Sequence, residues 1–168
     1  MRGNIVKIQA NEDEIILYCF VGEALWKIQI VEQALSHSIT LKMNPDATKE
    51  RADEFLRKQQ RSYTLGQAID LATKENLYDL SILNELKSFL QQRNWLVHKA
   101  MPESQHGLRW QDQKEVLFNK IKSISDKAEA IQREIENDLI DFCSSKGKDM
   151  SKILELLKLQ EQGKRIVD

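Results

Sequence analysis

Apolar residues recur every three or four positions along two long stretches of the chain. From about Asp13 to Lys42 they fall at Leu17, Val21, Ala24, Ile28, Val31, Leu35 and Ile39. From about Gln111 to Ser144 they fall at Leu117, Ile121, Ile124, Ala128, Ile131, Ile135, Leu139 and Phe142. That spacing keeps one helix face apolar, so each stretch is expected to form a long amphipathic helix. Trp26 and Ile30 are expected to widen the apolar face of the first. The similar lengths and the near-heptad rhythm of the second predict that the two pack antiparallel.

The intervening segments are shorter. Asn44-Pro45-Asp46 breaks the first helix and can cap the next. Residues from Ala47 to Arg61 are highly charged, with only Ala52, Phe55 and Leu56 to pack, which predicts a surface helix. Thr64 followed by Gln67 is a capping-box pattern, and Leu65, Ala68, Ile69 and Ala72 form the core face of a helix ending near Asn76. Asp79 or Ser81 caps the next helix, which carries Leu83, Leu86 and Leu90. Pro102 disfavours helical geometry in the residue before it, so this helix is expected to end near Ala100, with a loop from Pro102 to about Trp110. A short tail helix, about Met150 to Gln160, follows a hinge at Lys146-Gly147-Lys148. The fold class expected is all-α: an antiparallel up-down bundle of about five helices in residues 1–145, with residues 146–168 a tail of the same domain.

Composition narrows the possibilities. The 168 residues are 41 % hydrophobic and 30 % charged, a globular balance, and only 6 Gly and 2 Pro interrupt them. The net charge of −1 excludes a global basic field, so any RNA contact needs a local patch. Cys19 and Cys143 have no metal or disulfide spacing and are expected to be buried thiols, which suits a reducing cytosol. No apolar run approaches the ~18 residues of a membrane span, and no signal-peptide core opens the chain, so a cytoplasmic protein without membrane contact is expected. His37, His98 and His106 match no compact ligand motif, and no glycine-rich phosphate loop or nucleophile elbow is present. No metal and no cofactor is expected.

One position breaks the pattern. After Leu83, Leu86 and Leu90 the next place on the apolar stripe is Arg93. An arginine there is costly unless it is paired or meets a partner surface. His98 follows five residues later, about 140° around an ideal helix, so the two do not share one narrow face. They converge if the helix loosens before Pro102, or if a second copy supplies its own pair across a two-fold axis. The structural alternative pairs Arg93 with Glu85 or with an acid on another helix, and has His98 cap carbonyls at the helix end.

The run Arg93-Asn94-Trp95-Leu96-Val97-His98, at the end of a Leu-rich helix in a small bundle, resembles the HEPN superfamily. That family's signature is an Arg and a His separated by four to six residues, often with Asn directly after the Arg. Arg93, Asn94 and His98 occupy those places. Ala24-Leu25-Trp26-Lys27-Ile28-Gln29, Tyr63-Thr64-Leu65-Gly66-Gln67 and the long helix after the motif fit as well, over roughly residues 13 to 144. The resemblance implies a homodimer with two Arg/His pairs in one cleft. It also implies a metal-independent endoribonuclease of a toxin–antitoxin or anti-phage system, or a catalytically silent relative that binds RNA or protein.

In the active case His98 transfers protons, since an imidazole titrates near neutral pH. Arg93 grips phosphate oxygens, and Asn94 positions either the phosphate or the His98 ring. In the branch whose Tyr is modified by a partner nucleotidyltransferase, the Tyr stands two residues after the His. Here that residue is Ala100, so a cognate antitoxin is expected to act otherwise.

Lys99, the basic run Arg57-Lys58 to Arg61, and His106 with Arg109 are the candidate RNA contacts. The ordinary alternative for the basic run is a helix end whose cations offset the macrodipole. Trp95 and Leu96 are read as core or interface, and Trp110 as core in preference to a base-stacking platform. The acidic residues Asp126, Glu129, Glu134, Glu136, Asp138 and Asp141 are read as a solvated face, with docking of a basic partner as runner-up.

Overall fold

A computed structural model describes residues 10–59, 63–107 and 111–162. Seven helices occur among them: α1 (Glu12–Met43), α2 (Lys49–Gln59), α3 (Leu65–Lys74), α4 (Leu80–His98), α5 (Ala100–Gly107), α6 (Gln111–Ser145) and α7 (Ser151–Glu161). No strand is found among the described residues.

Local chemistry explains the boundaries. Asn11 caps α1 through a reciprocal pair, its side chain accepting from Glu14 N while Glu14 accepts from Asn11 N, both at 2.9 Å. Thr64 and Gln67 close α3 in the same way, and Asp79 caps α4 by accepting from Ile82 N. Two helices end in Schellman turns. Asn76, at φ +51°, follows α3, and Gly147, at φ +75°, follows α6; the amides of Leu77 and Lys148 reach back to Ala72 O and Cys143 O. The expected loop after Pro102 is instead α5. Pro102 is its third residue, where the missing N–H removes no helical hydrogen bond, and α4 closes just before it at His98.

α1 and α6 form the spine. Leu17, Ala24, Ile28, Val31, Leu35 and Ile39 are buried on one side, and Leu117, Ile121, Ile124, Ala128, Ile131 and Ile135 on the other. Contacts along the seam ascend together. Asp13 meets Lys114 at 3.0 Å, Glu23 meets Ser125 at 3.2 Å, Lys27 meets Glu129 at 3.3 Å, and Lys42 pairs with Asp138. The two long helices therefore run parallel, not antiparallel as their pattern predicted. α4 runs against α6, since Glu85 meets Lys127 while Trp95 lies under Lys120. The intervening helices reverse the chain an even number of times, which returns α6 to the direction of α1. Leu65, Ile69, Leu86 and Phe89 bring α3 and α4 into the same core.

Two side chains depart from their expected places. Trp26 is 67 % exposed and does not widen the core face, whereas Ile30 is half-buried. Cys19 is exposed and Cys143 half-buried, so neither is the fully buried thiol expected. Burial still pushes the Cys143 thiol up, against the pull of Lys148 and Lys42.

Candidate functional site

Arg93 lies on the last turns of α4, where the Leu83–Leu86 stripe continues through half-buried Leu90. Its side chain is 30 % exposed and its Nε stands 3.6 Å from Glu32 Oε1 of α1. The pairing is with an acid of another helix; Glu85 instead lies 3.9 Å from Lys127. Arg93 Nη1 donates to Asn94 Oδ1 at 3.3 Å. The Glu32 contact is longer than a hydrogen bond, and Arg93 Nε, shielded from water, has no hydrogen-bond partner among the described residues. The neighbouring Gln92 Oε1 is in the same condition.

His98 is the last residue of α4 and is exposed. The α4 cap is made by the amide of Lys99 donating to Trp95 O at 2.8 Å, not by His98. Asn94 and Lys99 are exposed as well. Arg93 and Asn94 are thus in contact, and His98 lies exposed at the end of α4, next to the start of α5.

Leu96 is buried in the core and Trp95 half-buried, pinned on two sides. Its Nε1 donates to Glu103 Oε1 of α5 at 2.9 Å, and Lys120 Nζ of α6 sits 3.5 Å above the ring centroid. Lys120 also lies 3.9 Å from Glu103. This cation–π and carboxylate cluster ties α4, α5 and α6 together beside the motif. Next to it, a groove of about 630 Å³ opens between Pro102, Val116 and Leu117. Nothing in the sequence spacing pointed to these partners: Glu32 and Lys120 are distant along the chain from Arg93 and Trp95, and Glu103, eight residues from Trp95, fell in an expected loop.

The remaining candidates fall elsewhere. Arg57 and Lys58 are exposed on the last turn of α2; Arg57 Nε donates to Asp53 O, and Lys58 pairs with Glu54 at 2.6 Å. Arg61, Arg109, Trp110 and the side chain of His106 lie outside the described residues. His37 is half-buried, and desolvation holds its imidazole below the usual range. Among the described residues no three His, Cys, Asp or Glu side chains gather as a metal site. No described helix is long and apolar enough to cross a membrane.

A second buried polar cluster lies at the far end of the spine. The Lys42 side chain is 4 % exposed and its Nζ donates to Leu77 O at 2.7 Å, pairs with Asp138, and lies 4.0 Å from the Tyr78 ring centroid. Asp138 is therefore not part of a purely solvated acidic face. Burial pushes the Tyr78 hydroxyl well above its usual range. The acceptors around Lys42 offset its desolvation, which identifies this cluster as a structural tie between α1, the α3–α4 turn and α6.

No family model, curated protein or solved structure matches this chain.

Proposed function

We propose that the protein is a HEPN-type, metal-independent endoribonuclease that works as a homodimer in the cytoplasm, as a toxin or defence effector restrained by a cognate antitoxin. The observation that supports this reading most is the state of the motif. Arg93 is oriented by Glu32 and Asn94 yet keeps an Nε without a hydrogen bond, and His98 is exposed at the end of the same helix. An oriented guanidinium stabilises the crowded phosphate. An accessible imidazole moves the protons. The ribose 2′-OH attacks the adjacent phosphorus, forming the 2′-O–P bond as the P–O5′ bond breaks. Imidazoles from the two copies accept the 2′ proton and protonate the leaving oxygen. The products are a 2′,3′-cyclic phosphate and a 5′-OH end. Lys99, Arg57 and Lys58 supply backbone contacts, with Arg61, His106 and Arg109 as further candidates.

The test is cleavage of mixed structured and single-stranded RNA in excess EDTA. Wild type is expected to cut, and Arg93→Ala and His98→Ala, each folded by circular dichroism, to lose the activity. Fragments ending in 3′-OH overturn the 2′-OH route. Equal cleavage by all three proteins assigns the activity to a contaminant.

A second reading is a catalytically silent helical module that dimerises or binds RNA or protein. The Arg93–Glu32 contact favours it, because an arginine engaged by its own chain also has a purely structural explanation. Absence of cleavage by wild type, together with growth unaffected by expression, selects this reading.

A further inference from the structure

From the geometry of α1 we infer where two copies of the chain meet: the N-terminal half of this helix, on the side turned away from α6, seats the same half-helix of a second copy of the chain, antiparallel across a two-fold axis.

The side of α1 opposite its core stripe carries Ile15, Tyr18, Cys19, Gly22, Leu25, Trp26 and Gln29, with no charged residue among them. Tyr18 is 63 % exposed and Ile15 52 %, and Leu25 lies open beside Trp26. Eighteen residues make about five helical turns, so Ser36 and Thr40 lie on the same side as Tyr18 and Gly22. Both are buried, and α2 and α3 pack on α1. Thr40 Oγ1 satisfies itself by donating to Ser36 O at 2.8 Å. The chain thus covers a small polar surface at one end of this side and leaves a large apolar surface open at the other. That is the reverse of what burial within one molecule would select.

The open surface matches a copy of itself. Around Gly22, Tyr18 and Trp26 stand four residues to either side, Cys19 and Leu25 three, and Ile15 and Gln29 seven. An antiparallel pair of helices crossing at Gly22 therefore sets Tyr18 against the other copy's Trp26 and Cys19 against its Leu25, the isologous pattern of a two-fold interface. A Cβ added at Gly22 would meet nothing within 4 Å in the single chain, so the crossing point is open to a second backbone. A whole aromatic side chain buries roughly 150–250 Å², so Tyr18 and Trp26 together leave on the order of 250 Å² open. With Ile15, Leu25 and the small residues, two copies bury about 1,000 Å², the lower bound of a specific interface. Lys114 holds Asp13 and Lys120 covers Trp95, so the start of α1 and the end of α4 lie against the same N-terminal third of α6.

The inference stands apart from the nuclease reading, because association is measured without RNA. Sedimentation or light scattering of the full chain is followed over a dilution series for wild type, Tyr18→Glu, Trp26→Glu and Val97→Glu. Wild type is expected to dimerise. Tyr18→Glu and Trp26→Glu are expected to weaken association by at least about thirtyfold, as for loss of a buried aromatic anchor. Their helical circular dichroism stays at the wild-type level, since both side chains are exposed in the single chain. Val97→Glu, at an exposed position beside the motif, keeps the dimer. A wild type that is monomeric throughout overturns the inference. So does a dimer that survives Trp26→Glu, or one that Val97→Glu dissociates while Trp26→Glu does not.

Discussion

α1 and α6 are of similar length, 32 and 35 residues, and share one buried seam, yet their outer sides differ in kind. The outer side of α6 carries Glu115, Lys122, Asp126, Arg133, Asn137 and Asp141, all exposed. It is a solvated helix back of the ordinary sort, with most of the large apolar residues drawn to the buried side and Val116 left exposed near the start. The outer side of α1 carries Ile15, Tyr18, Leu25 and Trp26 in its first half and buried Ser36 and Thr40 in its second. A helix that is apolar all round is normally enclosed. α6 meets α1, α4 and α5 on its buried sides and water on its back. α1 meets α6 on one side, α2 and α3 on another, and its remaining sector carries exposed Tyr18 and Trp26.

The largest effects lie in what the two helices share. Leu35 and Ile131 are both within 1 % of full burial, one from each side of the seam. Leu35→Ala and Ile131→Ala are each expected to lower stability by about 2–5 kcal/mol, the range for deleting a buried aliphatic side chain. Urea unfolding of the two variants checks this. If one is within about 0.5 kcal/mol of wild type, as expected for surface changes, the parallel seam is not the centre of the core.

Next comes Lys42, a cation buried at the far end of the seam. Lys42→Met leaves Asp138 without its partner and Leu77 O without its donor. A loss of about 2–3 kcal/mol is expected, below the 3–5 kcal/mol of a fully enclosed pair because Asp138 keeps some solvent. Adding Asp138→Leu should recover most of it. A double variant as unstable as the single one would show that the backbone acceptor, not the carboxylate, carries the cost.

The same contrast explains what could be read beforehand. α6 was legible almost residue by residue, because a single buried stripe against a charged back is a one-solution pattern. The core stripe of α1 was equally clear, but Trp26 was misplaced. A large apolar side chain next to an apolar stripe looks like core until an adjacent element is found, or found missing, to cover it. Parallel packing of α1 and α6 was not legible, since a heptad-like seam is compatible with either direction and only the intervening chain reversals decide. α5 was hidden by Pro102, which stops a helix or starts one according to which residues flank it. Arg93 stood out because it interrupts a Leu stripe, and a partner acid on another helix was foreseeable as a type. Its identity as Glu32, 61 positions earlier, was not. The Trp95–Glu103–Lys120 cluster was out of reach for the same reason: α5 had first to exist as a helix.

The smallest effect separates the electrostatics of the two helices. Glu134 on α6 is half-buried, and desolvation followed by the nearby carboxylates of Glu85, Asp79 and Asp138 raises its carboxyl above the usual range. Its native form therefore holds its proton more tightly than the unfolded chain does. The stability this group provides is full below the ordinary carboxylate pKa and is lost as pH rises through the native value. On α1 the sign is opposite. The hydrogen bond and charge of Lys27 lower the Glu23 carboxyl, so its contribution is present above the ordinary carboxylate pKa and is lost as pH falls through the lowered native value. Glu134→Gln should flatten the fall of stability between mildly acidic and neutral pH and raise neutral-pH stability by a few tenths of a kcal/mol, within the range of partly exposed sites. Glu23→Gln should instead remove part of the loss on acidification. Thermal melts from pH 3 to pH 8 resolve the two. Parallel shifts of both variants at every pH would mean that helix propensity or packing, and not ionisation, sets these positions.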